Sequence, residues 1–164
     1  MAGINSKNKG NTFERKISNL LSKRFEEKTG LKQAFRRNTD SGSFFGGTNQ
    51  KRVDTHNTEN ATFGDINCPK AFRYSVECKH YKKAPSMSNI MQQNYKEWDS
   101  WISQAEQDSK NSGKKMFIIV KYNNVEEIVI VNEQAPNMYN MPYKHCFVVL
   151  LKDFLKQDDT VFFE

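Results

Sequence analysis

Three ionisable side chains stand out by type and spacing: Asp65, Glu77 and Lys79. The last two sit in the run Arg73-Tyr74-Ser75-Val76-Glu77-Cys78-Lys79. Along a strand alternate side chains share a face, so Arg73, Ser75, Glu77 and Lys79 oppose Tyr74, Val76 and Cys78. Residues 63–67 and 72–80 read as two strands separated by Cys68-Pro69-Lys70-Ala71, where the proline marks a turn, and together they predict a β-hairpin. If the strands pair, Asp65 comes close to Glu77 and a carboxylate pair stands beside an ammonium. Two such carboxylates repel unless a cation joins them, and hard oxygen donors suit Mg²⁺ or Mn²⁺. An ion there polarises a scissile phosphate, stabilises the leaving oxygen and lowers the pKa of a bound water. Lys79 beside it would orient that water or offset charge in the transition state. The plain alternative is a charge pair on a solvated strand face, with Asp65 a turn residue after Gly64.

The whole chain favours a polyanionic partner. Its 164 residues, the usual size of one domain, carry a formal net charge of +6 and a pI near 9.2, and each phosphate neutralised by Lys or Arg releases counterions. A membrane is not expected, since no apolar stretch is long enough to span one and residues 1–10 are polar and lysine-bearing without a signal-like apolar core. The expectation is an intracellular, soluble protein. Cys68, Cys78 and Cys146 are odd in number with no close pair, which fits free thiols. A zinc site combining them with His56, His80 and His145 lacks the paired spacing such sites use.

The elements that must position the three residues follow from periodicity. Residues 1–10 read as a flexible lead-in and 11–164 as one domain. From about 11 to 28, Phe13, Ile17, Leu20, Leu21 and Phe25 recur at helical spacing, with Asn11 or Thr12 as N-cap and Gly30 as a stop. Residues 36–62 form a long basic loop carrying Arg36, Arg37, Ser41, Ser43, Lys51 and Arg52 among glycines, either a solvated insertion or a phosphate-tracking loop. After Pro85, Met91, Tyr95, Trp98, Ile102 and Ala105 mark one amphipathic helix ending near Gly113. Strands are expected at 116–122, 126–132 and 145–150, a loop at 136–142 and a short helix at 152–157. Trp98, Trp101 and His80 read as structural. Lys82 and Lys83, which follow the Lys79 strand, and likewise Lys114 and Lys115, either face phosphates or lie on a solvated face.

Gly64-Asp65, eleven intervening residues and Glu77-Cys78-Lys79 resemble the signature of the PD-(D/E)XK nucleases, with Gly64 at the place of the family's variable proline. The resemblance implies an α/β fold with a restriction-endonuclease-like core, a central mixed β-sheet flanked by helices. It implies Asp65, Glu77 and the backbone carbonyl of Cys78 as ligands of Mg²⁺ or Mn²⁺, and Lys79 as the assistant of the attacking water. In many members the first helix adds a carboxylate, and the matching residue is Glu14, three, seven and eleven positions before Ile17, Leu21 and Phe25. An exposed glutamate near a helix start is the ordinary alternative. Gln104 is the analogue of a glutamine some members carry on the second helix. Within the family, residues 11–131 look most like small virus-encoded Holliday-junction resolvase-like endonucleases, which implies a homodimer acting on branched DNA. A nuclease for linear or flapped DNA, and a DNA-binding accessory that keeps the fold without turnover, are the other readings.

Overall fold

A computed structural model of the chain describes residues 6–39 and 63–164. Ser41, Ser43, Lys51, Arg52 and His56, like residues 1–5, lie outside the described residues. The described elements are helices α1 (Ser6–Arg24) and α2 (Glu26–Thr29), strands β1 (Arg36–Arg37), β2 (Ile66–Asn67) and β3 (Tyr74–Tyr81), helices α3 (Met87–Met91) and α4 (Lys96–Ser112), strands β4 (Lys115–Tyr122), β5 (Ile128–Val131), β6 (Met141–Tyr143) and β7 (Cys146–Leu150), and helices α5 (Leu151–Phe154) and α6 (Asp159–Phe162). The strands form one seven-stranded sheet in the order β1-β2-β3-β4-β5-β7-β6. Only β3 and β4 pair in parallel, joined by the crossover through α4, so the sheet is mixed and the fold α/β.

β4 explains the layering. Its run Lys-Met-Phe-Ile-Ile-Val-Lys-Tyr is almost wholly buried, as a strand covered on both faces requires. Phe117 and Ile119 face a core with Phe13, Ile17 and Leu21 of α1, Phe25 just after it, and Phe154, Phe162 and Phe163 of the C-terminal segment. Met116, Ile118, Val120 and Tyr122 face the other core, where Trp98, Trp101, Ile102 and Ala105 of α4 pack. Trp98 donates its indole N–H to the Tyr122 hydroxyl at 2.8 Å, which locks α4 in rotation over β4. Both tryptophans are buried, as the helical stripe predicts.

Four expectations about the elements need correction. α1 starts at Ser6, so half of the expected lead-in is helical and Thr12 bonds back to the Asn8 carbonyl from within the helix instead of capping it. Once the buried stripe has nucleated the helix, extension over polar residues adds a backbone bond per residue at little cost. Leu20 lies off that stripe and is exposed. The helix expected after Pro85 is two helices, because Asn89 donates to the Asn94 carbonyl and Gln93 adopts φ 49°, which ends α3 and leaves Met91 exposed. The loop expected at 136–142 ends in strand β6, where Pro142 is tolerated because the strand is at the sheet edge. Arg36 and Arg37, expected on the long loop, form β1 and pair with Asn67 and Ile66. Gly30 and Gly113 do end their helices, both in the left-handed conformation. Among the described residues no helix is long and apolar enough to cross a membrane.

Candidate active site

The predicted hairpin is present, and its irregularity makes the site. β2 pairs with β3 through Ile66 and Val76, and the Asp65 N–H donates to the Val76 carbonyl at 2.8 Å. Beyond that point β2 turns away at Gly64, which has φ +82°. A Cβ on Gly64 would lie 2.4 Å from the Val76 carbonyl oxygen, so only glycine fits both the dihedral and the approach. The next β3 amide, that of Cys78, therefore has no β2 carbonyl opposite and donates to Asp65 Oδ2 at 2.8 Å. Asn38 holds the turn from the other side, donating its backbone N–H to the Asp65 carbonyl and its side-chain amide to the Gly64 carbonyl.

Glu77 and Lys79 share the opposite face of β3 from Tyr74, Val76 and Cys78, as the alternation predicts. The face is not solvated: Glu77 is 7% exposed. This removes the plain reading of a surface charge pair. Lys79 Nζ stands 3.4 Å from Glu77 Oε2. Burial, then the neighbouring charge of Asp65, pushes the Glu77 carboxyl up to about 8, against the opposing pull of Lys79.

Glu14 joins the group from α1. Burial raises its pKa, with Arg37 opposing through a hydrogen bond, and the charges of Asp65 and Lys79 are both felt there. Arg37 donates from Nε to Glu14 Oε2 at 2.5 Å and from its second nitrogen to Asn11 Oδ1 at 2.6 Å. The structure thus turns inward an arginine expected to contact DNA: pairing of β1 with β2 brings its guanidinium over α1. Arg36 is exposed, as are Lys82 and Lys83 beyond the end of β3.

One further expectation changes. Gln104 is exposed on α4, off the buried stripe of Trp98, Trp101, Ile102, Ala105 and Asp108. The α4 residue whose charge reaches the group is Asp108, 8% exposed, which interacts with Lys79, Asp65 and Glu77. Sequence reasoning missed it, although a carboxylate continuing an apolar helical stripe is itself a signal. His80 packs its ring against Phe13 on the α1 face, in keeping with a structural role. Lys114 is also structural, bonding the Phe72 carbonyl, and Lys115 pairs with Glu133.

The donors suit a hard divalent cation. Among the described residues, Asp65 spends one oxygen on the Cys78 amide and keeps the other, and the buried Glu77 carboxyl has Lys79 as its ion-pair partner. An extended residue projects its N–H and C=O to the same strand edge, so the Cys78 carbonyl looks toward the side of β3 that β2 has vacated. Among the described residues, Cys68, Cys78, Cys146, His80 and His145 do not assemble into a zinc set, and His56 lies outside them. Cys68 and Cys78 are half-buried residues whose thiols desolvation pushes well up. Among the described residues the group of three His, Cys and acidic side chains that comes together is Glu106, His145 and Cys146, where His145 pairs with Glu106 and burial holds the Cys146 thiol up at about 11.

The family model described as "Phage putative PDDEXK endonuclease" matches residues 5–162. No curated protein matches the chain. Among solved structures, a Holliday junction resolvase of Archaeoglobus fulgidus, Hjc, is 12% identical over 93% of this chain and 92% of its own, with a TM-score of 0.36, a slight likeness. The span matched by the family model runs from α1 to α6 and takes in Glu14, Asp65, Glu77 and Lys79 together. The chain belongs to this family of PD-(D/E)XK endonucleases.

Proposed function

We propose that the protein is a Mg²⁺- or Mn²⁺-dependent endodeoxyribonuclease that hydrolyses phosphodiester bonds, in which Asp65, Glu77 and the Cys78 carbonyl would hold the ion. The observation that carries the reading is the buried Glu77 carboxyl kept beside Asp65, with the Lys79 ammonium as the one offsetting charge among the described residues. Such an arrangement costs stability in the absence of a cation and is hard to explain as packing. When bound, the ion supplies Lewis-acid activation of the phosphate and of a water.

The chain's own residues do the rest. The Cys78 amide fixes one oxygen of Asp65, so its free oxygen is already oriented. Lys79 orients the attacking water or meets negative charge as it builds on the phosphate. Glu14, steadied by Arg37, completes the carboxylate group or helps hold a second ion. Exposed Arg36, Lys82 and Lys83 contact phosphates and hold the strand in register without reading its sequence.

Branched DNA is the proposed substrate and a homodimer the proposed form, because concerted cutting of two strands needs two sites related by a two-fold axis. This finer reading rests on the run from the Glu14 helix through the basic Ser/Gly segment to Glu77-Cys78-Lys79. The test is to incubate a plasmid, a linear duplex, a flapped duplex and a synthetic four-way junction with Mg²⁺ or with EDTA. Cleavage of the junction alone, lost in EDTA, is expected. Preferential cutting of linear or flapped DNA would replace the substrate, and junction binding without cleavage under every metal would favour a non-catalytic accessory.

A further inference from the structure

Four carboxylates form one electrostatic group around Lys79: its charge acts on Glu14, Glu77 and Asp108, and the charge of Asp65 acts on the same three. Three are already engaged. Glu14 is bonded to Arg37, Asp65 to the Cys78 amide, and Glu77 is the present partner of Lys79. Asp108 is different. It is buried on the face of α4 that otherwise carries Trp98, Trp101, Ile102 and Ala105, and among the described residues it makes no hydrogen bond or close ion pair. Of the charges around it, that of the Lys79 ammonium acts on it most strongly.

The nuclease reading gives this residue a use, and the role inferred for Asp108 rests on that reading. Lys79 and a divalent ion compete for Glu77. Once the ion takes those oxygens, the ammonium loses its partner and faces a like charge. We infer that Asp108 is a positioning residue, whose carboxylate receives the Lys79 ammonium when Glu77 is committed to the ion and holds it beside the reacting phosphate. The exchange is local. A lysine side chain has the rotamers for it, and α4 is fixed over β4 by the Trp98 to Tyr122 hydrogen bond, so Asp108 stays in place while Lys79 moves.

The test uses the full chain, Ca²⁺ as a non-cleaving probe ion, and the variants Asp108→Asn and Asp108→Glu. In a crystal structure of the wild-type protein with Ca²⁺, the Lys79 ammonium should lie within hydrogen-bond distance of Asp108 and away from Glu77. Calorimetry should give Asp108→Asn a Ca²⁺ affinity within about threefold of wild type, since a lost ligand would cost tenfold or more. With saturating Mg²⁺, kcat for DNA cleavage should fall by roughly tenfold to a hundredfold with KM nearly unchanged, and Asp108→Glu should recover most of it.

Three results overturn the inference: Lys79 still on Glu77 in the Ca²⁺ structure, Asp108 itself on the ion or needed for its affinity, or unchanged kcat in a folded Asp108→Asn. The wild-type Ca²⁺ structure decides the matter even if the variants fold poorly. If the wild-type chain binds no divalent ion, the nuclease reading falls and the role of Asp108 with it. If it binds the ion with Lys79 unmoved, only the role of Asp108 falls.

Discussion

The two faces of strand β3 are built to opposite ends. On one, Tyr74, Val76 and Cys78 pack with the phenylalanines of α1 and the C-terminal helices. On the other, Ser75 and Glu77 are as deeply buried but polar, and among the described residues the Ser75 hydroxyl has no hydrogen-bond partner. One face gains free energy from burial while the other gives some up. Polar groups withdrawn from water at several kcal/mol per unpaired charge (roughly, by general desolvation arguments) are tolerated where a ligand restores the balance. The adjacency is economical, because the rigid apolar face holds the strand that carries the strained one.

Substitutions on each side should separate accordingly. Glu77→Ala is expected to reduce cleavage by about a thousandfold or more while DNA affinity, read by gel shift, stays within about threefold, since phosphate contacts supply the affinity. Unaltered cleavage would remove Glu77 from the mechanism. On the other side, Phe117→Ala should cost about 3 to 5 kcal/mol in urea unfolding, through a cavity in the α1 core. The contrast breaks if Glu77→Ala is the more destabilising of the two.

Gly64→Ala sits between the faces and should affect both. Its Cβ would collide with the Val76 carbonyl, so the turn that presents Asp65 must shift. A loss of about 1 to 3 kcal/mol in stability is expected, with cleavage reduced disproportionately, roughly tenfold to a hundredfold. Equal activity per folded molecule would show that the Asp65 turn tolerates displacement.

The last effect is one of pH. The folded Glu77 holds its proton up to about 8, whereas an unfolded glutamate releases it near 4.5. Below 4.5 both states are protonated and nothing is lost; as pH rises through that window the unfolded state alone gains by ionising, so the metal-free protein loses stability, and the loss is complete above about 8. Melting in EDTA should therefore show wild type falling relative to Glu77→Gln between pH 5 and pH 9. A parallel pH course for the two proteins would place the titration elsewhere.

How much of the molecule is legible in its sequence differs between elements and site. The hairpin, the α1 and α4 stripes and the burial of β4 are written in hydrophobic periodicity, which local steric rules translate directly into structure. The break between α3 and α4 is not, because it depends on one asparagine side chain reaching a carbonyl five residues on. Strand β6 is hidden by Pro142, whose acceptability depends on its lying at an edge, a matter of topology. Asp65, Glu77 and Lys79 can be named from type and spacing, and Glu14 from the family resemblance. Arg37 cannot be assigned to Glu14, nor Asp108 preferred over Gln104, because each depends on a contact between distant segments.

Residue order alone established a basic chain with a hairpin bearing an acid, a second acid and a lysine at alternating positions, since charge and strand alternation are local properties. Whether the Glu77 face of β3 met water or a helix was left to tertiary packing. Only the docking of α4, the early turn of β2 at Gly64 and the closure of Arg37 over α1 decided it, and these decide it because the energy of a buried charge is set by what surrounds it in space.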